Sequence, residues 1–125
     1  KPKITLLKWS LTLIQYKGST MQFKDYLATF PSIDHLTGLD ILNDKGDVVH
    51  HIPAIEGKLG SLKLYYALSI KFNQQLNATS AEQGILWFAE HVEDAKKNVG
   101  HHPNIDLLLD VVSKNSNFTL KPIEK

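Results

Sequence analysis

The chain has no cysteine and no arginine. Without cysteine, disulfides and thiolate metal sites are excluded, which fits a reducing compartment. Without arginine, all 14 basic residues are lysine. Arginine is the usual two-pronged reader of guanine, phosphate and carboxylate, so a dedicated nucleic-acid binder lacking it would be unusual. No apolar run is long enough to span a bilayer, and no small-residue cleavage site follows the short apolar stretch Ile4 to Ile14. Glycine-rich nucleotide-binding fingerprints, serine–histidine–aspartate sets, paired-carboxylate patterns and metalloprotease spacings are also missing.

What remains is the composition of an ordinary folded protein. Of the 125 residues, 42% are hydrophobic and 22% charged, a length and balance that suit one domain. The net charge of +1 is misleading. Lys1, Lys3, Lys8 and Lys17 all lie in the first twenty residues, which contain no acid. Past them, acids outnumber lysines. A mildly acidic body argues against nucleic acid and against an anionic membrane as partner. Asn77-Ala78-Thr79 and Asn117-Phe118-Thr119 have the form of glycosylation sequons and are read as chance matches.

The chain divides at Met21, its only methionine. Residues 1–20 read as a non-native or disordered leader. Lys17-Gly18-Ser19-Thr20 can be encoded by a purine-rich run resembling a bacterial ribosome-binding site, and the expected functional start is Met21. The competing reading is an authentic strand with Leu7, Trp9, Leu11 and Leu13 on one face.

From Met21 onward, Phe23, Tyr26, Leu27 and Phe30 fall at helical spacing until Pro31 stops them. Leu39 to Asn43 and Asp47 to Ile52 read as a hairpin about Asp44-Lys45-Gly46, where Gly46 supplies a positive φ. Ser61 is expected to cap a helix running to about Phe72. Ser80 and Gln83 have capping-box spacing for a second helix. Its stripe of Ala81, Ile85, Phe88, Val92, Ala95 and Val99 predicts one continuous segment ended by Gly100. Pro103 suits the first turn of a last helix through about Lys114, followed by a strand with Phe118 and Leu120 alternating. The expected order is helix, hairpin, three helices, strand. The fold class is α+β: a small antiparallel sheet, made of the hairpin plus the C-terminal strand, packed against three to four helices in a single domain over residues 21–125.

Chemistry concentrates in Gly100-His101-His102-Pro103-Asn104-Ile105-Asp106. Imidazole is the side chain best suited to proton transfer near neutrality, so His101, His102 and His91 are the catalytic candidates. Glu90, Asp94, Asn104 and Asp106 are ligand-binding candidates beside them. If the last helix folds back antiparallel on an unbroken predecessor, His91 lies roughly 15 Å and Asp94 roughly 10 Å along the axis from the histidine pair at 1.5 Å per residue. That spacing is too long for a shared metal shell, and no metal or cofactor is expected. His50 and His51 alternate across a strand, so they face opposite sides of the sheet. Gly57-Lys58-Leu59-Gly60-Ser61 opens a helix, where backbone amides favour anions. Lys58, Gly60 and Ser61 are therefore candidates, although the order differs from the phosphate-binding loop. Tyr65 and Tyr66 read as core and rim.

Two resemblances add to this. Through Pro31-Ser32-Ile33-Asp34-His35-Leu36, Gly57-Lys58-Leu59-Gly60-Ser61-Leu62, and Ala89-Glu90-His91 on to His102-Pro103-Asn104-Ile105-Asp106, the chain from Met21 to Ile123 resembles a small family of uncharacterised proteobacterial proteins, domain-of-unknown-function family 2322. The resemblance implies a cytoplasmic bacterial protein and brings no activity with it. Locally, His101-His102-Pro103 is similar to the histidine–histidine–proline element of pterin carbinolamine dehydratases, which implies proton-moving imidazoles. That family follows the element with a strand and a later threonine–histidine, whereas here a helix is expected and no histidine follows His102.

The sequence thus leads to a non-catalytic binding or regulatory module acting on a protein partner or small ligand. The alternative is a histidine-dependent lyase or hydrolase using His101 or His102 as acid or base.

Overall fold

A computed structural model describes residues 21–125. The expected start at Met21 and the competing strand about Trp9 fall outside the described residues.

The elements are α1 (Phe23–Leu27), β1 (Leu36–Leu42), β2 (Val48–Pro53), α2 (Leu59–Lys71), β3 (Gln75–Leu76), α3 (Ala78–Phe88), α4 (His91–Lys97), α5 (Pro103–Lys114) and β4 (Phe118–Glu124). The fold is α+β, with, among the described residues, a four-stranded antiparallel sheet in the order β2-β1-β4-β3 and five helices. Both β1 and β2 follow from local chemistry. Asn43 Oδ1 accepts from the N–H groups of Lys45 and Asp47, and Gly46 takes φ +85° to close the turn. As expected, the C-terminal strand joins the hairpin, pairing Ile41 with Leu120 and Asp40 with Lys121.

Alternation gives the sheet two unlike faces. Leu39, Ile41, Ile52 and Leu120 are buried completely and meet Leu62, Tyr65 and Leu68 of α2 in the core. On the other face Asp40 pairs across to His51, whose Nδ1–H donates to Asp40 Oδ1 at 2.6 Å, with Lys121 opposite on the far strand. Helix α3 can lie close to α2 and α5 because position 84 is glycine. A Cβ there would come within 2.8 Å of Leu108 Cδ1 and 3.0 Å of Leu68 Cδ1.

Four local expectations are corrected. The first strand begins at Leu36 rather than Leu39, because β4 extends the pairing back to Leu36↔Glu124 across a bulge. Helix α2 begins at Leu59, not after a Ser61 cap. The chain turns earlier, through Lys58 N–H to Ile55 C=O, and Leu62 N–H already bonds Lys58 C=O. The capping box of α3 is Asn77 with Ser80, not Ser80 with Gln83. Ser80 N–H donates to Asn77 Oδ1 at 3.1 Å and Asn77 N–H to Ser80 Oγ at 2.9 Å, since β3 delivers the chain directly into the helix.

The fourth correction matters most for the site. The expected helix through Val99 breaks at Ala89, which sits at φ +52° and ψ −121°. Ala89 N–H bonds Leu86 C=O and Val92 N–H bonds Ala89 C=O across the break. The break lets two differently directed pieces both bury their apolar residues: Ala81 and Phe88 from α3, Val92 and Ala95 from α4. Val99, which a straight helix would have buried, is 81% exposed. The helix ends at Lys97, and Gly100 serves a later turn at φ +99°. Four helices, not three, therefore separate the hairpin from β4.

Candidate functional site

Helices α2 and α5 both begin at one end of the molecule, and the short α1 is placed against them. Phe23 of α1 stacks on Phe88 at the end of α3, with centroids 5.3 Å apart, and meets the edge of His91 at 5.1 Å. Its ring lies over Gly60, where a Cβ would come within 3.1 Å of Phe23 Cε2. Glu90 fixes the start of α1, its Oε1 accepting from Phe23 N–H at 2.8 Å.

Between these parts lies a cavity of about 170 Å³. One wall is the Gly57, Lys58 and Ser61 stretch at the start of α2. The opposite wall is His101 to Ile105 at the start of α5. Phe23, Phe88 and His91 close the third side. The two segments that the sequence offered as separate candidates thus border one cavity.

His91 and His102 come together, contrary to the axial distance expected from an unbroken helix. Their ring centroids are 6.0 Å apart. The chain leaves α4 at Lys97 and doubles back, so His102 lies beside the first turns of α4. His102 Nε2–H donates to Asp94 Oδ2 at 2.5 Å, where about 10 Å had been expected. Asn98 Nδ2 donates to the other oxygen of Asp94 at 2.8 Å. These two bonds, led by the one from His102, hold the Asp94 carboxyl below its ordinary value of 3.8. His102 is the residue before the first turn of α5 but caps it with no side-chain bond, and Pro103 occupies the first turn as expected. His101 is exposed.

Asn104 joins three elements. It is only 7% exposed. Its Oδ1 accepts from His50 Nε2–H of β2 at 2.7 Å, and its backbone C=O accepts from the Tyr65 hydroxyl of α2 at 2.6 Å. Full burial pushes the Tyr65 hydroxyl pKa well up. His50 and His51 face opposite sides of the sheet as expected, His50 being the inward one, and Tyr65 is core while Tyr66 is rim, touching His35 Nε2 at 3.1 Å.

Of the other candidates, Glu90 and Asp106 are engaged with their own chain, Asp106 Oδ2 accepting from Gly100 N–H at 2.9 Å. Gly60 lies behind the wall, under Phe23, rather than on the cavity. Lys58 and Ser61 line the cavity and form no hydrogen bond or ion pair through their side chains. Among the described residues, no three histidine, aspartate or glutamate side chains converge on a point that would hold a metal ion. No helix among them is long and apolar enough to cross a membrane.

Sequence reasoning did not find Phe23, Phe88 and Ile105 as walls of the site, or His50 and Tyr65 as supports for Asn104. Phe23 and Phe88 showed only as periodic core positions, and nothing local distinguishes a core aromatic from one that also faces a cavity.

No curated protein and no solved structure matches the chain. The model of a family described as an uncharacterized protein conserved in bacteria (DUF2322) matches residues 23–122, and the chain belongs to that family.

Proposed function

We propose that the protein is a binding module for a small ligand, seated in the cavity between the starts of α2 and α5. The observation that carries this reading is the convergence of Lys58, Ser61 and Asn104 with three imidazoles on one concave surface that also has an aromatic side. A few polar groups set into apolar walls is the usual make-up of a small-molecule site. The volume of about 170 Å³ suits a compact ligand, since a cavity of roughly 150 Å³ accommodates benzene. The cysteine-free composition and the bacterial family favour the cytoplasm as its location. The arginine-free, mildly acidic body favours neither nucleic acid nor membrane as partner.

A second reading rests on the Asp94–His102 pair. An aspartate that grips Nε2 orients the ring and leaves Nδ1 as the nitrogen able to exchange a proton, the arrangement of a general base in a lyase or hydrolase. Binding is preferred because no nucleophile or second acid is hydrogen-bonded to that ring.

Screening a library of small polar fragments by nitrogen-correlated NMR of the full chain tests both readings. Hits should shift Ser61, His91, His102 and Asn104 together. Hits confined to the groove between α4 and α5, or to the outer face of the sheet, would contradict the binding reading. Chemical conversion of a bound fragment, abolished in a His102→Ala variant that still folds, would favour the enzyme.

A further inference from the structure

We infer that the ligand is a small organic oxyanion, a phosphate monoester or a carboxylate on a compact apolar body; this rests on the cavity being the ligand site. No carboxylate side chain lines the cavity. Three acids nearby are already engaged, two of them with imidazoles of the cavity wall: Glu90 accepts from Phe23 N–H and lies 3.8 Å from His91 Nε2, Asp94 accepts from His102 and Asn98, and Asp106 accepts from Gly100 N–H. The polar groups that do line it are chiefly donors. Lys58 brings an ammonium with no carboxylate partner, and Ser61 a hydroxyl with no partner. Of the imidazoles, His101 is bonded to no acid, and His91 and His102, whose Nε2 atoms face Glu90 and Asp94, have the other ring nitrogen left as a donor when protonated.

Asn104 gives the independent indication. Its side chain is more than nine-tenths buried, and its Oδ1 is occupied by His50. The Nδ2 group makes no hydrogen bond within the protein, yet among the described residues no polar side-chain atom is both buried and unpartnered. Nδ2 is therefore open to space, and Asn104 lines this cavity. An amide anchored through its oxygen, with unused N–H groups and a place on the cavity wall, is suited to meet an acceptor. Helices of 13 and 12 residues start on either side, neither capped by a side chain. The first-turn N–H groups of Leu59, Gly60 and Ser61 lack intrahelical partners; in α5 only Asn104 N–H does, because Pro103 has none and Ile105 N–H bonds His102 C=O, and the dipoles add to the attraction for negative charge. Phe23, Phe88 and Ile105 supply the apolar surface for the body of the ligand.

Calorimetric titration of the full chain with phenyl phosphate, benzoate, inorganic phosphate and benzyl alcohol tests the inference. Phenyl phosphate or benzoate should bind more tightly than neutral benzyl alcohol by roughly tenfold or more, the scale of one charge-assisted hydrogen bond. Which of the two binds better identifies the oxyanion. Inorganic phosphate, without the apolar body, should bind more weakly than phenyl phosphate. Asn104→Asp keeps an acceptor for His50 but replaces the donor with a carboxylate, and should weaken binding by about tenfold or more. Lys58→Gln, a change on a partly exposed side chain that supports no other contact, should weaken it too and guards against misfolding of the first variant. If benzyl alcohol binds the cavity as well as phenyl phosphate does, the site stands and its anionic specificity is wrong. If neither anion binds at millimolar concentration while neutral fragments do, the inference is likewise overturned. If no fragment of any charge reaches the cavity, the binding reading itself fails.

Discussion

Asp94 shows how one residue links stability to pH. Its carboxyl is held below the ordinary 3.8, first by the hydrogen bond from His102 and then by the one from Asn98. A carboxyl depressed in the folded state stabilises the fold above its unfolded value, and that contribution disappears as the pH falls through the folded value. Asp94→Asn should therefore flatten the part of the stability curve below about pH 3.8. Urea melts of both proteins across the acid range check this, and an unchanged acid limb would show the pair to be inconsequential. Tyr65→Phe tests a second single contact. It removes one of the two donors to the Asn104 carbonyl, the helix supplying the other, and should cost about 0.5–1.5 kcal/mol, the usual net worth of one hydrogen bond. A loss well below that, measured by chemical denaturation, would mean that water or another group replaces the hydroxyl. Residue-level chemistry was partly legible in the chain. His101, His102 and His91 could be singled out because imidazoles are chemically distinctive and these lie close to three carboxylates in the sequence. The role of Asn104 could not be assigned because its partners come from distant segments, and that of Asp94 because its bond to His102 depends on the helix break at Ala89.

Among the elements, the break between α3 and α4 is the one that makes the site. A straight helix would carry His91 away from His102 and leave no side for Phe23 to close. Ala89 holds a backbone conformation that L-residues seldom adopt, at a cost on the order of 1–3 kcal/mol. Glycine tolerates positive φ, so Ala89→Gly should stabilise the protein by about 1 kcal/mol, visible as a raised denaturation midpoint. A destabilised variant would show that the Ala89 methyl contributes packing worth more than the strain. This break was not legible, because alanine favours helix and the apolar spacing ran on to Val99. Tertiary packing overrode both signals. By contrast, the hairpin turn at Asn43–Gly46 and the start of α5 at Pro103 were legible because their causes lie within a few residues. The two-residue β3 was missed because Gln75 and Leu76 are too few to show alternation, and β4 supplies the reason they pair.

For the molecule as a whole, the sheet with α2, α3 and α5 forms a packed back, and the starts of α2 and α5 form the front, where α1 borders the candidate site. The fold class was legible from periodicity because burying one sheet face and one stripe per helix leaves few arrangements. The site as a unit was not, since the Gly57–Ser61 and His101–Asn104 segments meet only through the packing of α2 and α5. The central claim is that these segments bind one anionic ligand together. The most direct test is a titration of the full chain with phenyl phosphate at fixed pH, followed in the backbone amides, the imidazole nitrogens and the Asn104 side-chain amide. The account predicts saturable shifts with one common midpoint at Ser61, His91, His102 and Asn104. Shifts at the histidines without Ser61 and Asn104, or unsaturable shifts scattered over the surface lysines, would contradict it.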